Sequence, residues 1–569
     1  MKKDAATMER IVALCRRRGF IFGSSEIYGG INGFWDYGPL GCELKRNIKE
    51  AWWQDMVRNP PSTAGHPKLA GREFQMVGVD CSIIMNPKVW EASGHVGGFQ
   101  DPMVACRTEG CKGLYRADQL LIMEIQLTPS LQGESVVYKT YHGISNAEAE
   151  ADCDKILEKL RQKLFSQKPG GPVSTDVGAV DYQRIQDWSK VPCPQCQQKS
   201  LTTPRAFNLM FETFTGALQD SSSKVYLRPE TAQGIFANFQ NVYDTSRVKI
   251  PFGIAQIGKA FRNEINPRNY TFRSREFEQM EIEFFCHPDE SMLWYEFWRD
   301  ARVNWYKSLG IASDKLRPRQ QGKEELAHYS QACTDIEYMF PFSDEPQELE
   351  GVAHRGSFDL NQHGKFAKGR EDAFAIFDDE AWERDKHLFE SAAHQSRDRE
   401  GATPARETAG ASSSGAGDRA KEAKSKPPYK YVPHVIEPSA GADRFTLAVI
   451  CEAYSYDESR ASPEFLKFHP RLAPIKAAVF PLVAKDGMPE IALPIYEAIR
   501  KVFPAQYDAK QSIGKRYARM DEAGTPFCFT IDGQTKEDGT VTVRNRDDAS
   551  QVRIDKSRCL DYLRDKLGL

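Results

Sequence analysis

The sequence predicts an α+β fold, in which antiparallel strands are flanked by helices and followed by a C-terminal domain of mixed α/β type. Residues 277–284 alternate between polar or aromatic and apolar side chains, which indicates a strand with one face in the core. A second strand-like run at 252–264 precedes them, and the short loop between the two predicts an antiparallel hairpin. After residue 471, short apolar runs such as 527–531 predict strands, amphipathic segments predict helices, and a final helix is predicted from about 551 to 567, as in a small α/β domain.

The composition is that of an ordinary globular chain with several domains. It has 569 residues, of which 40% are hydrophobic and 27% charged, and its formal net charge of −3 neither indicates nor excludes a nucleic-acid partner. No apolar run is long enough to cross a membrane, and the first residues lack the pattern of a secretory signal. The thirteen scattered cysteines fit thiols or metal ligands better than a disulfide framework. We therefore expect a cytoplasmic protein.

An apolar stripe at helical spacing follows Pro39, which suits the first position of a helix. The stripe either packs into the core of the chain or forms an interface between two copies. It consists of Leu40, Leu44, Ile48, Trp52 and Met56.

Two segments interrupt the more regular sequence. Residues 106–204 resemble an insertion, with two cysteine pairs and a polar helical stretch at 146–167. Residues 391–428 are rich in Ala, Ser, Gly, Arg, Lys and Glu and lack large apolar side chains. Such a segment cannot bury enough surface to offset its ordering entropy, so we predict that it is disordered.

The predicted hairpin carries the side chains that indicate chemistry. Phe277, Gln279, Glu281 and Glu283 share one face of the second strand. Arg262 and Glu264 share a face of the first. Such a face is costly to bury unless it meets a ligand, although an amphipathic hairpin with one wet face has the same pattern. Guanidinium groups suit phosphate oxygens, an aromatic ring suits a purine, and carboxylates suit an ammonium group.

At this point the sequence resembles a known family. Phe261-Arg262-Asn263-Glu264 followed by Arg273-x-x-x-Phe277 resembles motif 2 of class II aminoacyl-tRNA synthetases, and Glu437 to Arg444 before an apolar helix resembles motif 3. Motif 1 is less regular and matches best the helix after Pro39 with residues 83–87. Further strings are similar to the dimeric glycyl-tRNA synthetases: residues 26–30, 35–41, 92–95 and 228–234. The similarity covers nearly the whole chain except 129–190 and 391–428.

The resemblance implies an ATP site in which Arg262 holds the α-phosphate and the glycine carboxylate, and Arg444 holds the distal phosphates. Phe277 would stack on adenine with Arg444 on its other side, and Glu264 would accept from the adenine amino group. Gly441 would leave room for the nucleotide. Glu348 would be the magnesium–ATP carboxylate. Arg262 and Arg444 would be catalytic, and the full ATP-binding set would be Arg262, Asn263, Glu264, Phe272, Arg273, Phe277, Glu348, Leu349, Gly441 and Arg444.

The resemblance also implies a glycine site built from carboxylates. Three of them, Glu230, Glu281 and Glu437, would surround the ammonium group, and we expect Arg273 and the ammonium to offset their mutual repulsion. Since glycine has no side chain to grip, selection must come from a wall that excludes a Cβ atom. The glycine-binding set would be Arg116, Glu230, Phe277, Gln279, Glu281, Glu437, Ser439 and Gly441.

Two features depart from the family pattern. Cys106, Cys111, Cys193 and Cys196 form a four-sulfur zinc site or remain unligated thiols; the first pair is spaced more widely than usual. Asp443 stands where motif 3 usually has glycine, which adds a negative charge beside Arg444 and weakens that residue's assignment.

The predicted organisation is therefore a catalytic domain at 1–105, 205–390 and 429–470, interrupted by the insertion at 106–204 and the low-complexity segment at 391–428. An anticodon-binding domain at 471–569 follows. The expected activity is ATP-dependent attachment of glycine to tRNA(Gly) by a homodimer, with magnesium. Two alternatives are a class II synthetase for serine, threonine or alanine, and a catalytically silent relative that only binds tRNA or regulates.

Overall fold

The computed structural model describes residues 5–129, 135–167, 173–327, 330–367, 373–387 and 422–568. Contacts within the chain group these residues into two units. The first unit comprises Met1–Ser93 with Phe211–Leu569, and the second comprises Gly94–Met210. The predicted domain boundaries stay predictions.

The labelled α-helices of the described residues are, in chain order, α1 Ala5–Arg18, α2 Pro39–Trp53, α3 Pro87–Ala92, α4 His95–Gly98, α5 Asn146–Gln167, α6 Ala232–Ser246, α7 Ser291–Ser308, α8 Phe358–Phe366, α9 Ala442–Ala453, α10 Met488–Arg500, α11 Ile513–Ala523, α12 Gly533–Asp538 and α13 Cys559–Leu567. Residues 379–387 and 422–424 are also helical. The strands are β1 Ile21–Gly23, β2 Trp35–Tyr37, β3 Gln75–Gly78, β4 Gln100–Ala105, β5 Leu114–Arg116, β6 Leu121–Pro129, β7 Ser135–Tyr141, β8 Val173–Ala179, β9 Arg205–Asn208, β10 Glu212–Phe214, β11 Lys224–Tyr226, β12 Phe252–Phe261, β13 Glu276–Cys286, β14 Leu316–Gln320, β15 Ala332–Tyr338, β16 Gln347–Gly356, β17 Ile376–Phe377, β18 Lys430–Tyr431, β19 His434–Gly441, β20 Tyr454–Tyr456, β21 Glu464–Leu466, β22 Ala477–Pro481, β23 Ala505–Tyr507, β24 Phe527–Ile531, β25 Thr540–Asn545 and β26 Gln551–Asp555.

A seven-stranded sheet organises the first unit, with strand order β14-β15-β16-β19-β13-β12-β3. Its pairs are antiparallel except for β12 with β3. Met280, Ile282 and Phe284 of β13 lie in the largest apolar core, which also contains residues of α1, α2, α7 and α9. A second core packs residues of α6 and α8 with Phe252 and Phe285. The antiparallel sheet between helices confirms the predicted fold class.

The apolar stripe after Pro39 packs inside its own chain. Leu44, Ile48, Trp52 and Met56 are buried in the largest core, and Leu40 packs against that core. The structure therefore supports the interpretation as a core helix. The stripe supplies no surface for a second copy of the chain. It therefore gives no support to the predicted homodimer.

The C-terminal domain is a mixed sheet of order β23-β22-β24-β25-β26 with α10, α11 and α13. The strand at 527–531 lies where it was predicted. One prediction was wrong: a single helix from 551 to 567. Gln551–Asp555 instead forms an edge strand paired with β25, and Asp555 then accepts a hydrogen bond from the Ser557 N–H at the turn into α13. Pairing with β25 in the folded chain therefore decided the structure of this short segment, whose own sequence pattern was weak.

The second unit contains two three-stranded sheets, β5-β4-β9 and β7-β6-β8. Its helix α5 covers the predicted range 146–167. In the predicted disordered segment 391–428, residues 391–421 lie outside the described part. Residues 422–428 contain a helical turn that places Lys424 over the Trp382 ring, 4.6 Å from its centroid, so disorder was wrong for this end. Among the described residues, no helix has the length and apolarity to cross a membrane.

Candidate active site

Strand pairing brings the two motif segments side by side. In the register between β13 and β19, Gln279 faces Gly441 and Glu281 faces Ser439. The Gln279 amide also donates to the Ser439 hydroxyl oxygen at 3.2 Å. Residues far apart in the sequence thus lie on one surface of the sheet.

This surface forms the floor of a cavity of about 400 Å³. Its lining is strongly polar, with guanidinium groups and carboxylates. The predicted site residues that line it are Glu230, Arg262, Glu264, Phe272, Arg273, Phe277, Gln279, Glu281, Glu348, Leu349, Glu437, Ser439, Gly441 and Arg444.

Three guanidinium groups act on the exposed Glu348 carboxylate, and one of them contacts it directly. Arg444 Nη1 donates to Glu348 Oε2 at 3.1 Å, and its Nε donates to the Phe272 carbonyl oxygen at 3.1 Å. The charge of Arg444, reinforced by those of Arg262 and Arg273, lowers the pKa of Glu348. All three cations therefore act on one part of the cavity, where they can receive an anion.

Aromatic rings accompany the two predicted catalytic arginines. The Arg262 guanidinium lies 5.4 Å from the centroid of the Phe277 ring, and the Arg444 guanidinium lies 4.8 Å from that of Phe272. A Cβ atom added to Gly441 would meet the Arg444 side chain only at an ordinary contact distance of 3.6 Å. The chain itself would thus tolerate a side chain at 441, and any collision would be with a bound ligand.

Carboxylates form another part of the cavity. Glu281 accepts hydrogen bonds from the Thr231 N–H and hydroxyl, and Glu437 accepts two from Arg355 Nη1, both at 2.9 Å. Arg355 also pairs with the buried Asp359 at 2.8 Å. One guanidinium group is therefore shared between two carboxylates.

The protonation of these carboxylates reflects their crowding. Burial, together with the neighbouring Glu281 and Glu230, raises the pKa of Glu437 to about 8 against the opposing charge of Arg355. Burial and the charge of Glu230 also raise the pKa of Glu281. Both shifts favour the entry of a cation, because an ammonium group would offset the repulsion that raises them.

Comparison with known proteins places the chain in a family. The model of the anticodon-binding domain matches residues 476–566. Over 96% of the chain, it is 47% identical to the glycine–tRNA ligase of Rhodopirellula baltica, of which it covers 97%. It is 43% identical to that of Acetivibrio thermocellus, with 98% of both chains covered. The chain belongs to the glycine–tRNA ligase family. This confirms the resemblance to class II glycyl-tRNA synthetases and the anticodon-binding domain of this ligase.

Two residues of the predicted ATP and glycine sites are not among those that line the cavity. Asn263 does not line the cavity. Arg116 belongs to the second unit, where it pairs with Asp101 at 3.0 Å and with Asp118 at 2.6 Å. Strand β12 ends at Phe261, so the prediction that Arg262 and Glu264 share a strand face was wrong; both lie in the loop that follows.

Sequence reasoning missed Arg355 as the cation that pairs with Glu437. We expected Arg273 to offset the carboxylates, but the buried ion pair of Glu437 is with Arg355. A signal was available: Arg355 follows the apolar run Val352-Ala353 in a buried strand, where a charge requires a partner. Cys333 and Asp335 of β15 also line the cavity, but no sequence motif pointed to them.

Asp443 does not act as an unpaired charge beside Arg444. Its Oδ1 accepts from the Tyr37 hydroxyl at 2.6 Å and from Lys45 Nζ at 2.7 Å, and its Oδ2 accepts from the Glu278 N–H at 2.6 Å. Lys45 also pairs with the Glu278 carboxylate at 2.7 Å. Asp443 thereby ties the start of α9, which carries Arg444, to the strand residue that follows Phe277.

The four predicted metal-ligating cysteines come together within the second unit. The Cys106 and Cys196 sulfur atoms are 3.6 Å apart and those of Cys111 and Cys193 are 3.9 Å apart. All four lie within 4.8 Å of one another.

We predict that Lys45→Met weakens ATP binding, because Asp443 and Glu278 lose their shared cation and no longer fix the start of α9. We expect the KM for ATP to rise about tenfold, the equivalent of roughly 1.4 kcal/mol. Lys49→Met is the matched control, since Lys49 donates to Glu278 from the same helix. Equal effects of both variants on the KM would contradict a specific role for the bond to Asp443.

Proposed function

We propose that this ligase joins glycine to ATP, releases pyrophosphate, and transfers the glycyl group from the adenylate to the 3′ end of tRNA(Gly). The observation that carries the proposal is the shared cavity of Arg262 and Arg444 with Glu230, Glu281 and Glu437. Cations suit the triphosphate and the amino-acid carboxylate, and the carboxylates suit the ammonium group.

Positioning and charge account for the activation step. The glycine carboxylate attacks the α-phosphorus and pyrophosphate leaves, so no protein nucleophile is required. Negative charge builds up on the phosphoryl oxygens during this attack, and the preorganised Arg262 stabilises it. Arg444 holds the distal phosphates, and Phe277 stacks on the adenine. The carboxylates hold the ammonium, while a close wall excludes larger amino acids.

Magnesium fits beside the triphosphate. Glu348 offers an exposed carboxylate, 51% accessible, within the group of arginines that would face the phosphates. Magnesium prefers oxygen ligands and commonly binds through a carboxylate together with phosphates. The ion would neutralise phosphate charge, and Glu348 would hold it.

The domain at 476–566 supports tRNA as the partner of this activity.

We also propose that the protein acts in the cytoplasm. All thirteen cysteines lie in the described ranges and none of them forms a disulfide there, as suits a reducing compartment.

The function is tested by glycine-dependent exchange of labelled pyrophosphate into ATP. Arg262→Ala should lower this exchange by about 10²–10³-fold, the range for loss of a preorganised charge-stabilising donor. Arg58→Ala, which removes an exposed arginine outside the cavity, should leave it unchanged. Exchange with serine, threonine or alanine instead of glycine would favour another class II synthetase. No exchange with any amino acid would indicate the catalytically silent relative.

We further propose that the four cysteines of the second unit bind a structural zinc ion. Zinc–sulfur bonds of about 2.3 Å in a tetrahedron separate the sulfur atoms by about 3.8 Å. The observed separations of 3.6 and 3.9 Å match this value. The ion would join the end of β4 to the Cys193-Pro194-Gln195-Cys196 turn.

For this site we expect about one zinc ion per purified chain by elemental analysis. Cys193→Ser should lose most of the metal and lower the thermal midpoint, since metal binding is linked to folding. Cys42→Ser is the control, because Cys42 is an exposed thiol of the first unit. Metal-free wild-type protein that takes up no added zinc would contradict the proposal.

We propose that the ligase is a homodimer, and that the loop at 24–33 contributes to the contact. Ile27 and Tyr28 are the most exposed large apolar side chains of the described residues, at 88% and 87%, and Ile31 is 56% exposed. Three such side chains within five residues form an apolar patch of the kind that favours association.

Light scattering at micromolar concentration should give twice the chain mass for the wild type. Tyr28→Asp should shift the protein toward the monomer, since a charge would then have to be desolvated in the contact. Leu218→Asp is the control, because Leu218 is 73% exposed outside this patch. A monomeric wild type would exclude the dimer. A dimeric Tyr28→Asp protein would show that the contact between the two copies lies elsewhere.

A further inference from the structure

Glu283 is a carboxyl group in the glycine region that the reaction described above does not use. It lies on β13 two residues beyond Glu281, so both side chains leave the strand on the same face. Its side chain is fully buried. Within the described residues, neither of its carboxyl oxygens has a hydrogen-bond partner.

The neighbourhood of Glu283 is crowded with negative charge. Carboxyl oxygens of Glu281, Glu283 and Glu437 all lie within 4.8 Å of one another. Arg355 pairs with Glu437, but it also pairs with Asp359. Three ionised carboxylates at this separation would repel strongly in an interior of low polarity, and the shared guanidinium group cannot balance them all.

Among the described residues, no hydrogen-bond donor stabilises a negative charge on Glu283. Glu281 receives hydrogen bonds from Thr231, and Glu437 receives them from Arg355, so a negative charge on either residue is better stabilised than one on Glu283. Glu283 has no such donor, and its burial together with the charge of Glu437 raises its pKa well above the usual range. A neutral carboxyl group has one O–H to donate, and its nearest charged acceptors are its two neighbours in the cluster.

We propose that Glu283 is a positioning residue for glycine: its neutral carboxyl group donates a hydrogen bond to the Glu437 carboxylate and holds it in place for the substrate ammonium. The inference rests on the proposed function. The bond holds Glu437 from the neighbouring strand β13, and a neutral Glu283 leaves the cluster with one negative charge fewer for Arg355 and the substrate ammonium to offset. Glu283 itself does not touch the substrate.

Two substitutions separate this role from its alternatives. Glu283→Gln keeps the shape and a donor while it removes the ability to ionise, and Glu283→Leu keeps similar volume without a donor. Glu276→Leu on the same strand is the control, since Glu276 pairs with Lys259 outside the cluster. The readouts are the KM values for glycine and for ATP in pyrophosphate exchange, the thermal midpoint, and the KM for glycine between about pH 6 and pH 9 around the pKa of the cluster.

We expect Glu283→Gln to keep the KM for glycine within about threefold of the wild type, with the same pH profile, because the donor is retained. Glu283→Leu should raise the KM for glycine about tenfold or more, and leave the KM for ATP within about twofold, since the lost bond is to a charged group. Glu276→Leu should change neither value.

Three results would overturn the proposal. Equal damage by Gln and Leu would mean that an ionised Glu283 is needed. A normal KM for glycine in Glu283→Leu would make Glu283 a spectator. A parallel rise of both KM values with a lowered thermal midpoint would assign it a purely structural role. Failure of the proposed function is distinguishable, because the wild-type protein would then show no glycine-dependent exchange at all.

Discussion

The antiparallel pairing of β13 with β19 is the constraint on which the site depends. Its register places Gln279 opposite Gly441 and Glu281 opposite Ser439. Because side chains alternate between the faces of a strand, a slip of one residue would turn Glu281 into the apolar core and Met280 into the cavity. Met280, Ile282 and Phe284 are buried in the largest core and hold this register. The packing of the apolar face therefore fixes the chemistry of the polar face.

The cavity divides its charges into two groups. Arg262, Arg273 and Arg444 act together on Glu348, whereas the charge of Glu230 raises the pKa of Glu281, and the charges of Glu281 and Glu230 raise that of Glu437. Groups of like charge are costly to hold together without a ligand, so this arrangement favours a substrate with an anionic part and a cationic part. A nucleotide triphosphate with an amino acid has both. The buried Arg355 lowers the electrostatic cost of placing the carboxylates together. The net charge of the carboxylate group stays negative.

Contacts from outside the sheet connect the motifs to the rest of the first unit. Lys45 and Tyr37 reach Asp443 from the N-terminal part of the chain, and Asp443 in turn binds the backbone of β13. Asp443 departs from the usual motif, and from the sequence it was interpreted as an unfavourable charge. Its partners make it a link between three segments, which no pattern within motif 3 could indicate.

The sequence by itself determined the fold class, the family and most of the cavity. Alternation along 277–284 indicated which face of β13 was polar, and the motif strings identified Arg262, Glu281, Glu437 and Arg444 because these positions are local in sequence. It could not assign the stripe of α2 to the core, since an apolar stripe looks the same when it faces its own chain or another. It also missed the edge strand at 551–555 and the partner of Glu437. Only the tertiary structure decided these points, because strand pairing and buried ion pairs depend on which distant segment comes close, and that proximity leaves no periodic signal in the chain.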